Sequence, residues 1–229
     1  MGQRWHDLLF AHWRIEPERL QRLLPDPLEI DVFDDSAWLA VVPFAMTGVR
    51  ARGLPGLTRA SNFLELNVRT YVRHGDRDGV YFFSLDAASK LAVATARRWF
   101  HLPYFDARME LRRRDGWIDY QSKRTHRGAA PAHVALSYRA TGPAEPALPG
   151  TLEHFLIERY RLIANRRDGR IMTGEIHHGP WMLQPAEVEI HRNSMTDWLG
   201  IPLDRPPDHV RFARFQDVYI WPPRVVSRY

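Results

Sequence analysis

The chain has 229 residues, 45% of them hydrophobic and 26% charged, with a formal net charge of +5 at pH 7. That is the make-up of a globular protein with a core of its own, which excludes wholesale disorder and collagen-like repeats. No run approaches the ~20 apolar residues of a membrane helix. With no cysteine there is no disulfide framework, thiol nucleophile or sulfur-ligated zinc.

In chain order, residues 16–24 read as a short helix stopped by Pro25-Asp26-Pro27, and 37–46 (AWLAVVPFAM) as a buried strand. Residues 62–73 and 80–87 form a predicted hairpin around 74–79. Residues 88–100 are helical, with Ala88, Ala92 and Ala96 on a close-packing face. A second hairpin, 104–113 with 117–124, turns about Arg114-Asp115-Gly116, and 133–140 is a strand. Residues 152–164 read as a helix with Leu152, Phe155, Leu156, Arg159 and Ile163 on one stripe. Strands follow near 170–177, 186–191 and 210–221, with a short helix at 195–199. The Pro/Gly-rich stretch 141–150 is too short for a linker, so residues 1–229 are expected as one domain. The expected class is α+β: a curled antiparallel sheet or barrel with a few flanking helices.

The positive charge does not point to nucleic acid. Thirty of the 32 basic residues are arginines spread along the chain, with one triple at Arg112-Arg113-Arg114, whereas a phosphate-binding surface needs them clustered on one face. The first twenty residues lack an apolar core and a small-residue cleavage site, so the cytoplasm is expected and no membrane partner. GxSxG, Walker A, GxGxxG and HExxH are absent. His177-His178 sits in a strand, where successive side chains point to opposite faces, so no metal and no cofactor are expected.

Strand 62–73 carries the most chemistry. Its alternation sets Leu64, Leu66, Val68, Thr70 and Val72 on one face and Phe63, Glu65, Asn67, Arg69 and Tyr71 on the other. A water-facing strand rarely mixes acid, amide, guanidinium and two aromatics, so the second face suits a polar cavity inside a barrel; a solvated face is the alternative. At 97–105 a helix gives way to a strand through a Pro turn, bringing His101 and Tyr104 together, either at a functional junction or as an aromatic plug. Glu158-Arg159-Tyr160 reads as structural, since neighbours in a helix cannot share one face.

Two segments carry a resemblance. HWRIEPERLQRLLPDPLEID (12–31) is similar to the N-terminal segment of acetoacetate decarboxylase, and 85–107 looks like that enzyme's central segment, Leu-Asp, an Ala-rich helix and Gly-Arg-Glu leading to Pro-Lys-Lys. Over nearly the whole chain HW…LLP, PF, ELNVRTYV, FFSLDA, ARRxFHLPY, ERYRL and H-x-PW resemble, in order, the YqjF-like family of the acetoacetate decarboxylase-like superfamily. The resemblance implies an α+β domain around a curled antiparallel sheet with an interior pocket. It places the decarboxylase's active-site Glu on Glu65 and a pocket Arg on His6. The Schiff-base lysine and its neighbour fall on Tyr104 and Phe105, which form no imine. Lys90, fourteen residues earlier, is the substitute to weigh.

Three readings stay open. One is a pocket for a small carbonyl or carboxylate compound, with Glu65 as acid or base, Tyr104 as donor, and Arg69, Asn67, His101 and His6 as binding residues. The second is a binding protein without catalysis. The third is a scaffold or homo-oligomerising domain whose Glu65–Arg69 group is a buried network.

Overall fold

Period-two patterning over most of the chain makes strands. A computed structural model describes residues 1–50, 62–99, 102–166 and 168–226. The chain runs β1 (Gly2–Ile15), α1 (Pro17–Gln21), β2 (Glu29–Ile30), β3 (Ala37–Arg50), β4 (Phe63–His74), β5 (Arg77–Ala87), α2 (Lys90–Trp99), β6 (Tyr104–Arg114) and β7 (Trp117–Arg124). It continues through β8 (His133–Ala140), β9 (Glu145–Pro146), α3 (Leu152–Ile157), β10 (Arg161–Asn165), β11 (Ile171–His178) and β12 (Met182–Asn193). A 3₁₀ turn (Asp197–Leu199), β13 (His209–Ile220) and β14 (Arg224–Val225) complete it. Both hairpins form as expected; Asp115 (φ 53°) and Gly116 (φ 81°) both turn with positive φ between β6 and β7.

All strands join one sheet, which closes on itself twice. Strands β4, β5, β10, β11, β13, β1 and β3 pair around a first barrel. Strands β6, β7, β8 and β12 leave β5 and return to β13, closing a second barrel over the outer face of the same shared strands. The shared strands are therefore buried on both sides, the reason 37–46 is apolar throughout. Phe10, Ala40, Val42 and Phe44 pack in the first core, and Leu9, Leu39, Val41, Leu66 and Val68 in the second with Tyr120, Leu136 and Tyr138.

Two expectations need correction, and one strand was not anticipated. The sheet is mixed rather than antiparallel: β10 and β6 both lie parallel to β5. The predicted helix 152–164 stops at Ile157, and Arg161–Asn165 is a strand. There Leu162 packs into the first core and Ile163 into a separate cluster on the opposite face. Burying each contributes roughly 1.5–3 kcal/mol, more than helix propensity offers. The first fifteen residues, not anticipated as regular structure, form one of the longest strands, with a register shift near Asp7, whose φ is 52°. Among the described residues no helix is long and apolar enough to cross a membrane.

Candidate functional site

Because β4 is shared by both barrels, its polar face is enclosed instead of wetted. Glu65, Asn67 and Arg69 stand opposite Phe44, Val42 and Ala40, whose side chains form the first core. Glu65 is 3% exposed, Asn67 4%, Arg69 8% and Tyr71 not at all. Four successive inward positions thus carry polar groups through the barrel.

At one end of this barrel, beneath α2, is a cavity of about 190 Å³. Its lining is mainly apolar: Met46, Phe63, Leu91, Ala92, Leu102, Leu162 and Ile220, with Gln3, Thr95 and Tyr104 as polar members. The Tyr104 hydroxyl donates to Glu65 Oε2 at 2.9 Å, so Glu65 stands behind the tyrosine. Burial pushes the Glu65 carboxyl from an ordinary 4.5 up to about 8; the Tyr104 bond pulls the other way, and nearby Asp86 adds to the rise. Burial, then the Glu65 charge, holds the Tyr104 phenol well above its ordinary 10. At neutral pH the pair is a carboxylic acid and a phenol, with no net charge.

Hydrogen bonds and an ion pair frame the two side chains. Tyr120 donates to the Glu65 carbonyl at 2.7 Å, tying β7 to β4. Next to the pair, Asp86 and Arg124 form a fully enclosed ion pair (Nη2–Oδ1 2.6 Å, Nε–Oδ2 3.0 Å), the guanidinium lying 4.2 Å from the Phe105 ring centroid. A larger cleft of about 990 Å³ opens at the β4–β5 turn, lined by Asp26, His74, Arg77 and Arg170 among others. Its lining includes none of Glu65, Asn67, Arg69 and Tyr71.

Deeper in the first barrel, Arg69 Nη2 reaches the Leu156 carbonyl (3.3 Å) and the Tyr71 hydroxyl (3.5 Å), both long contacts. Tyr71 also meets His12 Nε2 at 2.8 Å. Burial keeps the His12 ring well below its ordinary 6.5, so it is neutral. Arg159 closes this end, bonded to Asp31 and Asp78 at 2.8 Å each and stacked on Phe155.

The sequence-derived candidates separate accordingly. Glu65 and Tyr104 meet; Asn67 and Arg69 share their barrel but not their contact. His6 projects away from the cavity side taken by Gln3, and its Nε2 lies 2.8 Å from Thr47 Oγ1, so it is not in the cavity lining. His101 lies outside the described residues. Lys90 and Lys123 are both exposed, and neither lines the cavity. Glu158 accepts from the Trp181 backbone (2.8 Å) and from the Tyr160 hydroxyl (2.6 Å), while Arg159 holds its ion pairs. His12 and the Asp86–Arg124 pair were missed by sequence reasoning. A single Asp inside the apolar run FFSLDA was the available signal, since a buried acid demands a partner.

Comparison with known proteins agrees with the fold. Acetoacetate decarboxylase from Legionella pneumophila superposes with a TM-score of 0.64 at 14% identity, over 100% of this chain and 88% of that one. An acetoacetate decarboxylase-like enzyme from Sphingomonas wittichii RW1 gives 0.66 at 15%, over 100% and 93%. The enduracididine biosynthesis enzyme MppR, complexed with pyruvate, gives 0.65 at 12%, over 99% and 90%. At such identities the likeness is one of fold: this is an acetoacetate decarboxylase-like fold. In sequence, the uncharacterized protein YqjF of Bacillus subtilis (strain 168) is 44% identical over 224 residues, covering 98% of this chain and 91% of its own. The model of DUF2071, described as an uncharacterized conserved protein, matches residues 2–217, and with that span and that relative the chain belongs to the DUF2071 family.

Proposed function

We propose that the cavity beneath α2 receives a small carbonyl compound and that Tyr104, backed by Glu65, exchanges a proton with it without an imine. The observation that carries this reading is the Tyr104–Glu65 hydrogen bond at the cavity wall, with the carboxyl raised to about 8. A group titrating near neutral pH both gives and takes protons readily, as general acid–base work requires. A volume of about 190 Å³ is roughly six waters' worth of liquid, which suits a compound of few carbons. The resemblance puts Tyr104 and Phe105 where the decarboxylase has its lysines, and both lysines of this chain face solvent. Neither lysine side chain is therefore placed at the cavity to start imine chemistry.

The chemistry is balanced without a co-reactant. Ionised Glu65 takes the Tyr104 hydroxyl proton as the tyrosine oxygen takes a proton from the carbon beside the carbonyl. The resulting enolate is reprotonated at carbon by Tyr104, which recovers its proton from Glu65, and the pair's protons exchange with solvent in between. The test is deuterium incorporation: small ketones and oxo acids are incubated with the protein in D₂O and followed by proton NMR. Exchange above the buffer rate that E65Q and Y104F abolish supports the reading. Exchange that survives both variants overturns the roles given to Glu65 and Tyr104, and no exchange with any compound that binds leaves binding without catalysis. The apolar lining of the cavity favours that second reading over a scaffold, because walls of this kind fit a ligand.

A further inference from the structure

Three arginines are buried among the described residues, and two of them have carboxylates: Arg124 has Asp86, and Arg159 has Asp31 and Asp78. Arg69, at 8% exposure, forms no ion pair with any described residue. Among the described residues its hydrogen-bond and ring partners are the Leu156 carbonyl, the Tyr71 hydroxyl and the ring faces of Phe10 (5.5 Å) and Tyr71 (5.7 Å). A guanidinium carries its charge wherever it sits, and an enclosed charge without a counter-charge is strongly disfavoured unless something offsets it.

The atoms around it are unpaired as well. Among the described residues Arg69 Nε has no hydrogen-bond partner, nor does Asn67 Oδ1 two positions earlier on the same inward face. Trp181, whose ring packs edge-on against Phe10 at 5.2 Å, has an unpaired Nε1. Two of these atoms are donors. An amide turned about its last torsion presents its NH₂ in place of its oxygen, which makes Asn67 a third. Buried polar groups are almost always satisfied, so donors left open on the face that carries a lone guanidinium, and on a ring that shares its Phe10 neighbour, point to a missing acceptor.

We infer that Arg69, with Asn67 and Trp181, is a carboxylate-binding subsite inside the first barrel. The planar fork of a guanidinium matches the two oxygens of a carboxylate, and the aromatic walls suit a singly charged group with an apolar body. This deepens the function proposed above and in part rests on it: one compound holds its carbonyl at Tyr104 and its carboxylate at Arg69. Arg69 lies four strand positions beyond Glu65, about 13 Å along the backbone, part of which the side chains span. The substrate class is then an oxo acid whose two functions lie several bonds apart, not a 2-oxo acid.

The test uses straight-chain oxo acids from pyruvate to 6-oxoheptanoate, each beside its primary amide, titrated calorimetrically into the full-length protein. Binding by the longer acids, about tenfold or more tighter than their amides, is expected for wild type. R69M should bring acid and amide to near-equal affinity, while E65Q and Y104F keep the preference. Failure of the Glu65 chemistry alone thus leaves this subsite standing. A second reading is the unliganded melting temperature of R69M, expected to rise by roughly 2–4 °C because an unpaired buried charge has gone. Acids and amides binding alike, an acid preference that survives R69M, or no acid in the series binding each overturns the inference. A fall in melting temperature with unchanged acid preference would assign Arg69 to packing and overturn it too.

Discussion

The Tyr104 hydroxyl reaches Glu65 Oε2 at 2.9 Å from β6, a strand separated from β4 in the sheet by β5. The curl of the first barrel makes that reach possible, and the enclosure it creates raises the carboxyl. A carboxyl raised from 4.5 to about 8 on folding binds its proton more tightly in the native state. The native protein then holds more protons than the unfolded chain between those values, so stability falls as pH rises through that window and levels off above 8. E65Q mimics the protonated acid and lacks this dependence. Thermal unfolding of both from pH 4.5 to 9 is expected to show similar stability at the acid end. Toward the alkaline end, wild type should lose on the order of a few kcal/mol relative to the variant. Parallel profiles would count against a raised Glu65.

Removing the tyrosine hydroxyl acts on the same equilibrium from the other side. The Tyr104 bond is the contribution that lowers the Glu65 carboxyl, so Y104F should move its midpoint above 8. Loss of one hydrogen bond to an enclosed group should also destabilise by about 1–2 kcal/mol. Carboxyl infrared titration of Y104F gives the midpoint and urea unfolding gives the stability. A midpoint that stays put or drops would show that the 2.9 Å contact does not reach the carboxyl's protonation.

The Asp86–Arg124 pair offers a different test, since its side chains are 0% and 2% exposed. Either single substitution, D86L or R124M, leaves one enclosed charge alone and should destabilise by about 3–5 kcal/mol. The double variant removes both charges and should recover most of that loss. A double variant as unstable as the sum of the singles would mean the pair contributes through packing alone.

Borohydride trapping addresses the lysines. With acetoacetate or pyruvate added, the intact mass should show no reduced adduct at Lys90 or Lys123 beyond that of an unrelated protein, because both amines lie in solvent. A stoichiometric adduct at Lys90 would place imine chemistry back in this chain.

How much of this could be read from the residues follows from the physics of each element. Strand β4 was readable because strict alternation survived along it and its second face was too mixed for water. Strand β10 was not: Arg161–Asn165 also fits a helical stripe, and only the parallel slot between β5 and β11 makes both faces of Leu162 and Ile163 buried. Strand β1 was hidden by the register shift near Asp7. Gln3 faces the first barrel before it, and Leu8 and Phe10 after it, so the period-two phase breaks midway. The Asp86–Arg124 pair spans 38 positions, a partnership that local pattern does not encode. Within the site, Glu65 and Tyr104 were recoverable as individuals; the isolation of Arg69 appears only when its neighbours can be counted.

Whether Glu65 is a neutral acid in the folded protein decides the rest. Difference infrared spectroscopy of wild type against E65Q, taken from pH 6 to 10, reads that proton directly. The expected result is a protonated-carboxyl band at pH 7, absent from E65Q and disappearing with a midpoint near 8. A carboxylate band alone at pH 7, with titration in the ordinary acid range, would contradict the acid–base role assigned to the Tyr104–Glu65 pair.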